Sequence, residues 1–322
     1  MALTRRRALA ALAALGGMGL AGRAAGAEEK LMITLGTATP GGGFPLYGDA
    51  VIEALEKVDA DLAIEPRNTK GSTENVPLLE AGRLDIALVQ GEVAYPALAG
   101  IGRPPSALRI VAAMYSTPGM FAVRADSPDR RIADLRGKPV AFGARGSGLV
   151  ILARYVLDGI GLDQDRDFQA IYLDHAGDGP PLVLSGRAAA LWGGGIGWPG
   201  FTALAKSPGG ARFIAPSAEE AARIRAKHPF LKPLAVPAGS YPGQSEAIAS
   251  VGSWSFILAR PGFAEATAYR LARDLHRAEP ALARLLPQAG ETTAANTAAA
   301  APRLDMIHPG VLRYLREIGL AP

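Results

Sequence analysis

A chain of 322 residues is long enough for two domains. It carries 34 basic and 30 acidic residues, and its excess of four charges is matched by Arg5, Arg6, Arg7 and Arg23 at the N-terminus. The remainder is balanced, 30 against 30, so it has no electrostatic case for nucleic acid or an anionic membrane. The absence of cysteine excludes a lipid-anchored N-terminus, thiol catalysis and thiolate metal sites.

The first residues read as a leader. Arg5-Arg6-Arg7, the uncharged apolar run Ala8 to Gly22, and Ala25-Gly26-Ala27 are the three parts of a secretory signal peptide over residues 1–27. The apolar run falls short of the roughly 20 residues that a membrane span needs. Thr4 to Leu9 partly fits a twin-arginine signal, so the general secretory and twin-arginine routes both stay open. A soluble periplasmic protein starting near Glu28 is expected.

Lys30 to Thr37 reads as a strand and runs into a loop with Gly41-Gly42-Gly43 and Phe44. A helix follows to about Val58, then a strand from Asp61 to Thr69. Lys70 to Gln90 reads as loop, helix, turn and buried strand. Ser72 is the expected N-cap, Gly82 the stop, and Leu84 to Val89 a run apolar enough for a strand buried on both faces. A short helix over Val93 to Ala99 comes next. Leu108 to Val123 reads as two strands around a turn at Ser116-Thr117-Pro118-Gly119.

The pattern of strand, glycine loop and helix returns at Pro139 to Phe142, Gly143 to Gly148, and Leu149 to Gly159. Strands are expected at Phe168 to Leu173, Ala188 to Trp192 and Arg212 to Ala215. Helices are expected at Pro180 to Gly186 and Ala218 to Lys227. Gly193 to Pro199 reads as another cleft loop, and Phe230 to Gly252 has little periodicity. Val251 to Ala259 is an apolar strand. Phe263 to Leu286 is helical with a break expected at Glu279-Pro280, and Val311 to Ile318 is the last helix. Strands and helices alternate throughout, so the class is α/β. Glycine-rich strand ends in both halves place helix N-termini around one cleft, a geometry suited to an anion.

The loops are neither a dinucleotide fingerprint nor a P-loop, because the required spacing and the terminal Gly-Lys-Ser/Thr are missing. The four histidines are scattered without metal-ligand spacing. A hydrolase reading would make Ser147 the nucleophile. Arg145-Gly146-Ser147-Gly148-Leu149 lacks the G-x-S-x-G elbow, and no histidine can be assigned as its base.

In their order, several segments resemble the TAXI family of solute-binding proteins of TRAP transporters. They are Gly36-Thr37 with Gly41-Gly42 and Gly48, Gly71 to Asn75, Gly82 to Gln90, Val140 to Gly143 with Gly146-Ser147-Gly148, Tyr241 to Gln244, and His308-Pro309-Gly310. The resemblance implies a two-lobed periplasmic-binding-protein fold with a central ligand cleft and hinge strands near Met120 to Arg124 and Val251 to Ala259. Lobe 1 would comprise residues 28–122 and 251–322, and lobe 2 residues 123–250. It implies capture of a small organic acid (carboxylate, dicarboxylate or amino acid) by a monomer that delivers it to membrane permease subunits. It implies no catalysis, no metal and no cofactor. A sensing subunit for a membrane receptor would share the fold.

The candidate ligand-binding residues are Gly36, Thr37, Gly42, Phe44, Ser72, Thr73, Glu74, Asn75, Gln90, Arg145, Gly146, Ser147, Gly148 and Trp198. The chain departs from the family at three places. Pro45 follows Phe44 where a second aromatic is common. Leu149 and Val150 stand where a threonine and an acid are common, and Arg145 where a small residue or proline is usual. Arg145 either reaches the ligand or points to solvent. Trp198 either touches ligand or caps its own core.

Overall fold

The computed structural model describes residues 30–322; the expected leader over residues 1–27 lies outside the described residues. The first part alternates β1 (Leu31–Gly36), α1 (Gly43–Val58), β2 (Leu62–Arg67), α2 (Ser72–Glu80), β3 (Ile86–Gln90) and α3 (Gly91–Ala99). β4 (Arg109–Arg124) then leads to β5 (Pro139–Ala144), α4 (Gly148–Gly159), β6 (Gln169–Leu173), α5 (Gly179–Leu184), β7 (Ala190–Gly194), α6 (Pro199–Lys206), β8 (Ala211–Ile214) and α7 (Ala218–Lys227). β9 (Lys232–Val236) and β10 (Ile248–Ala259) return the chain to α8 (Glu265–Leu285), α9 (Ala294–Ala300) and α10 (Pro309–Glu317).

Strand order is β2-β1-β3-β10-β4-β7-β5-β6, with β8 paired to β4 and β9 to β10. β1, β2 and β3 pair in parallel, as do β5, β6 and β7, while β4 and β10 run antiparallel to their neighbours. These two long strands belong to both halves. The start of β4 pairs with β10, and its end, Gly119 to Arg124, pairs with β7 and β8. β10 pairs with β9 at its start and β3 at its end. Two connected lobes result, joined through two crossing strands.

Burial follows the same division. One core joins β1 and β4 to α1, α8 and α10 through Leu35, Tyr47, Leu55, Val111 and Leu271. Another gathers Phe121, Phe142, Leu152, Trp192 and Phe201. A third, with Leu79, Val89, Ala94 and Leu108, covers the opposite face of the first lobe's sheet. β3, apolar from Ile86 to Val89 and ending in Gln90, is buried throughout, as a parallel-sheet strand covered on both faces should be. Asp59 at the end of α1 takes both arms of the Arg270 guanidinium, at 2.5 and 2.6 Å, and so ties α1 to α8.

Four expectations are corrected. β4 is one strand of 16 residues, not two around a turn. Pro118 falls where pairing passes from β10 to β7, and Gly119 packs against the Trp192 ring, so turn-forming residues are absorbed at a strand crossing. α8 continues through Pro280; the proline is exposed, so the bond it removes lies on the solvent side. The N-cap of α2 is Gly71, not Ser72. The aperiodic stretch before Val251 holds β9 and the start of β10; Pro233 is accommodated in β9, which pairs with β10 alone.

Candidate functional site

The loops at the C-terminal ends of β1, β2, β5 and β7 converge where the lobes meet. They enclose a cavity of about 40 Å³, room for roughly three water molecules by that measure. Phe44, Tyr115, Leu149 and Trp198 supply its apolar wall, and Thr39, Ser72, Gln90, Thr117 and Ser147 its polar groups. No carboxylate lines it, and Lys70 is its one charged residue.

The first turn of α1 faces the cavity with Gly42, Gly43 and Phe44. The N–H groups of Gly43 and Phe44 have no acceptor among the described residues, as expected of a helix start. Opposite them, Ser147 is the N-cap of α4, and its Oγ accepts the Leu149 N–H at 3.1 Å. Ser72 Oγ accepts the Gln90 N–H at 3.1 Å, so both hydroxyls keep their own hydrogen to donate. The Gln90 side chain is 5% exposed and makes no hydrogen bond among the described residues, and neither does the Tyr115 hydroxyl. Burial, then the nearby Tyr47 and Glu291, push the Tyr115 phenol well above its usual range, so it stays a donor at any physiological pH. The cavity wall therefore presents donors from several sides and no fixed negative charge.

Around the cavity the lobes touch backbone to backbone. Thr73 donates its N–H (3.2 Å) and its Oγ1–H (3.0 Å) to the Gly146 carbonyl of the other lobe. Gly71 has φ +112° and a Cβ there would stand 2.9 Å from Gly146 O, so only glycine fits this turn. A Cβ on Gly146 would collide with the Lys70 carbonyl, and one on Gly148 would stand 2.6 Å from Gln90 Oε1. On the other side the Ala176 N–H meets Thr39 Oγ1 at 3.4 Å. The two lobes are thus in direct contact on both sides of the cavity.

Of the fourteen candidates, Gly42, Phe44, Ser72, Gln90, Ser147 and Trp198 line the cavity. Thr73, Gly146 and Gly148 form the contact between lobes just described. Gly36, Thr37, Glu74 and Asn75 hold the loops in place from behind. The buried Asn75 amide donates to Thr37 O and Leu88 O, both at 2.8 Å, and Glu74 accepts the Lys70 N–H at 2.5 Å. Gly36 admits the Leu84 side chain. Arg145 is exposed, with its guanidinium 5.5 Å from the centroid of the Tyr172 ring. Trp198 is both core and cavity wall. It is 4% exposed, packs edge-on to Phe201 at 4.9 Å, and lines the cavity.

Sequence reasoning missed Thr39, Lys70, Tyr115 and Thr117. Lys70 had a signal, since it precedes Gly71-Ser72 directly. Tyr115 and Thr117 were hidden in what reads as strand and turn. The Tyr241 and His308 motifs are scaffolding. Tyr241 OH accepts the Trp198 N–H at 3.0 Å and donates to Gly195 O. His308 Nδ1 accepts the Gly310 N–H, and Gly310 lets α10 approach α8. No histidine lines the cavity around Ser147. Among the described residues no group of three or more His, Cys, Asp or Glu is placed to hold a metal ion, and no helix is long and apolar enough to cross a membrane.

Two α/β lobes, two crossing strands and a cavity between strand-end loops define the periplasmic-binding-protein fold. Solved structures of that fold superpose on most of the chain. MatC from Rhodopseudomonas palustris with bound malate matches with a TM-score of 0.57 at 13% identity, over 89% of this chain and 95% of that one. The periplasmic binding protein BugD matches with 0.56 at 14% identity, over 90% and 98%. A structure described as a periplasmic transporter gives 0.56 at 13%, over 90% and 98%. The chain belongs to the NMT1-like family, whose model matches residues 35–319.

Proposed function

We propose that this protein is the exported solute-binding subunit of a TAXI-type TRAP transporter. It captures a small organic acid in the periplasm, as a monomer, and hands it to membrane permease subunits. The observation that carries this reading is the cavity itself. It lies between two lobes, is lined by donors without protein partners, and has no carboxylate in its wall. A carboxylate there takes charge-assisted hydrogen bonds, each worth roughly 1.5–3 kcal/mol, and gains from the α1 dipole by up to about 2 kcal/mol. A few such contacts reach the about −8 kcal/mol of micromolar binding.

The lobes in this reading are residues 28–122 with 251–322, and residues 123–250, and they hinge on β4 and β10. Phe44, Tyr115 and Trp198 pack the carbon skeleton, and Ser72, Gln90 and Ser147 hydrogen-bond its polar groups. Ser147 caps a helix and has no base, so the reading is a binding protein and not an enzyme.

Native mass spectrometry of protein purified from the periplasm tests this. The expected spectrum shows the chain from near Glu28 with an organic acid bound, lost on unfolding. A monomer that still carries its leader, or one that co-purifies with a neutral sugar, would contradict it.

A further inference from the structure

Glu92 is a buried carboxyl that the cleft does not use. It is the second residue of α3 and 1% exposed. One oxygen, Oε2, takes the hydroxyl hydrogen of Ser253 on β10, and Oε1 has no partner among the described residues. α3 packs on the crossing strand β10 and on α4 of the other lobe, so the carboxyl sits where a crossing strand and helices of both lobes meet. Beside it Tyr95 of α3 stacks on Phe230 of the second lobe, with centroids 5.6 Å apart and planes at 20°. Gly91 and Ser253 line a separate cavity of about 410 Å³, shared with Tyr95, Phe230, Trp254 and the exposed Lys232. That cavity brings solvent up to the neighbours of the carboxyl.

We propose that Glu92 is a protonation latch: the lobes close with its carboxyl neutral and open when it ionises, so closure takes up a proton. The inference rests on the reading of two lobes that open and close.

Burial pushes the Glu92 carboxyl up to about 7, against the opposing pull of the Ser253 hydroxyl and its own N–H. Among the described residues no cation offsets that burial. α4 brings Tyr155, whose phenol is raised first by burial and then by the Glu92 charge. β10 brings only Ser253, and β3 nothing that titrates. α2 brings Glu74, bonded to the Lys70 N–H, and Glu80, paired with Arg103. The segment after α7 brings His228, bonded to Asp158, and Lys232 is exposed on β9. In the open form the group is hydrated and titrates near 4.3 as an ordinary glutamate. Its value is therefore higher when closed. The closed form is fully favoured below about pH 4 and loses up to roughly tenfold per pH unit until about pH 7, then levels off.

Small-angle scattering of the ligand-free protein at pH 5.5 and pH 8 tests the latch. The expected result is a smaller radius of gyration at pH 5.5, and for Glu92→Gln the same compact value at both. Ser253→Ala, which removes the one partner that steadies the charge, makes the loss of the closed form at pH 8 larger than in the wild type. It also keeps the test open should Glu92→Gln misfold. A wild-type radius independent of pH, or a pH response that survives in Glu92→Gln, overturns the proposal. Because no ligand is present, failure to find an organic acid that binds bears on the function proposed above and not on this result.

Discussion

Gly146→Val is expected to abolish tight binding while leaving the ligand-free protein about as stable as the wild type. Any Cβ at this position collides with the Lys70 carbonyl of the opposite lobe, a backbone atom that cannot turn aside. The same substitution disturbs the Gly146 carbonyl that Thr73 grips with two donors. Overpacking of this kind costs about 1–3 kcal/mol. Charged to the closed form alone, the upper end is about a hundredfold in Kd. Calorimetry gives the affinity and urea unfolding of the ligand-free protein the stability. Unchanged affinity in Gly146→Val would mean that the contact between lobes does not form when ligand binds. A stability loss equal to the affinity loss would place the strain within one lobe.

Trp198→Ala is expected to lower stability by about 3–5 kcal/mol, the usual cost of truncating a buried tryptophan, and to weaken binding as well. The ring is both core and cavity wall. It rests on Gly193 and Gly200, meets Phe201 edge-on, and reaches across the cleft to within 3.3 Å of the position a Cβ would take on Gly43. Trp198→Phe keeps a ring in the core but shortens the reach, so it should recover most of the stability and less of the affinity. Urea midpoints and calorimetry together separate the two effects. Full affinity in Trp198→Ala would reduce the ring to a core element.

The α/β alternation, the cleft between strand-end glycine loops and the buried strand β3 were legible because each is written in local spacing. The helix over Ala218 to Lys227 has the residues expected, fixed by the capping box of Ser217 and Glu220. What was not legible depends on partners far along the chain. Pro118-Gly119 reads as a turn until Gly194 and Gly252 are seen to flank it across strands. Pro280 reads as a break until the helix is seen to turn it outward. Within the site, Ser72 and Ser147 look alike in sequence. Only Ser147 caps its helix, because Gly71 at φ +112° turns Ser72 inward to accept from Gln90. Tyr115 joins the cavity from within a buried strand, where an aromatic ordinarily means core. Arg145, conspicuous in its glycine loop, lies over Tyr172 and outside the cavity wall.

Calorimetric titration of the exported protein with a panel of mono- and dicarboxylates, amino acids and neutral sugars is the most direct test of the central claim. A cavity rich in unspent donors and free of carboxylates should bind at least one organic acid at micromolar Kd or tighter, and the methyl ester of that acid far more weakly. Tight binding of a neutral sugar with no response to any organic acid would contradict it.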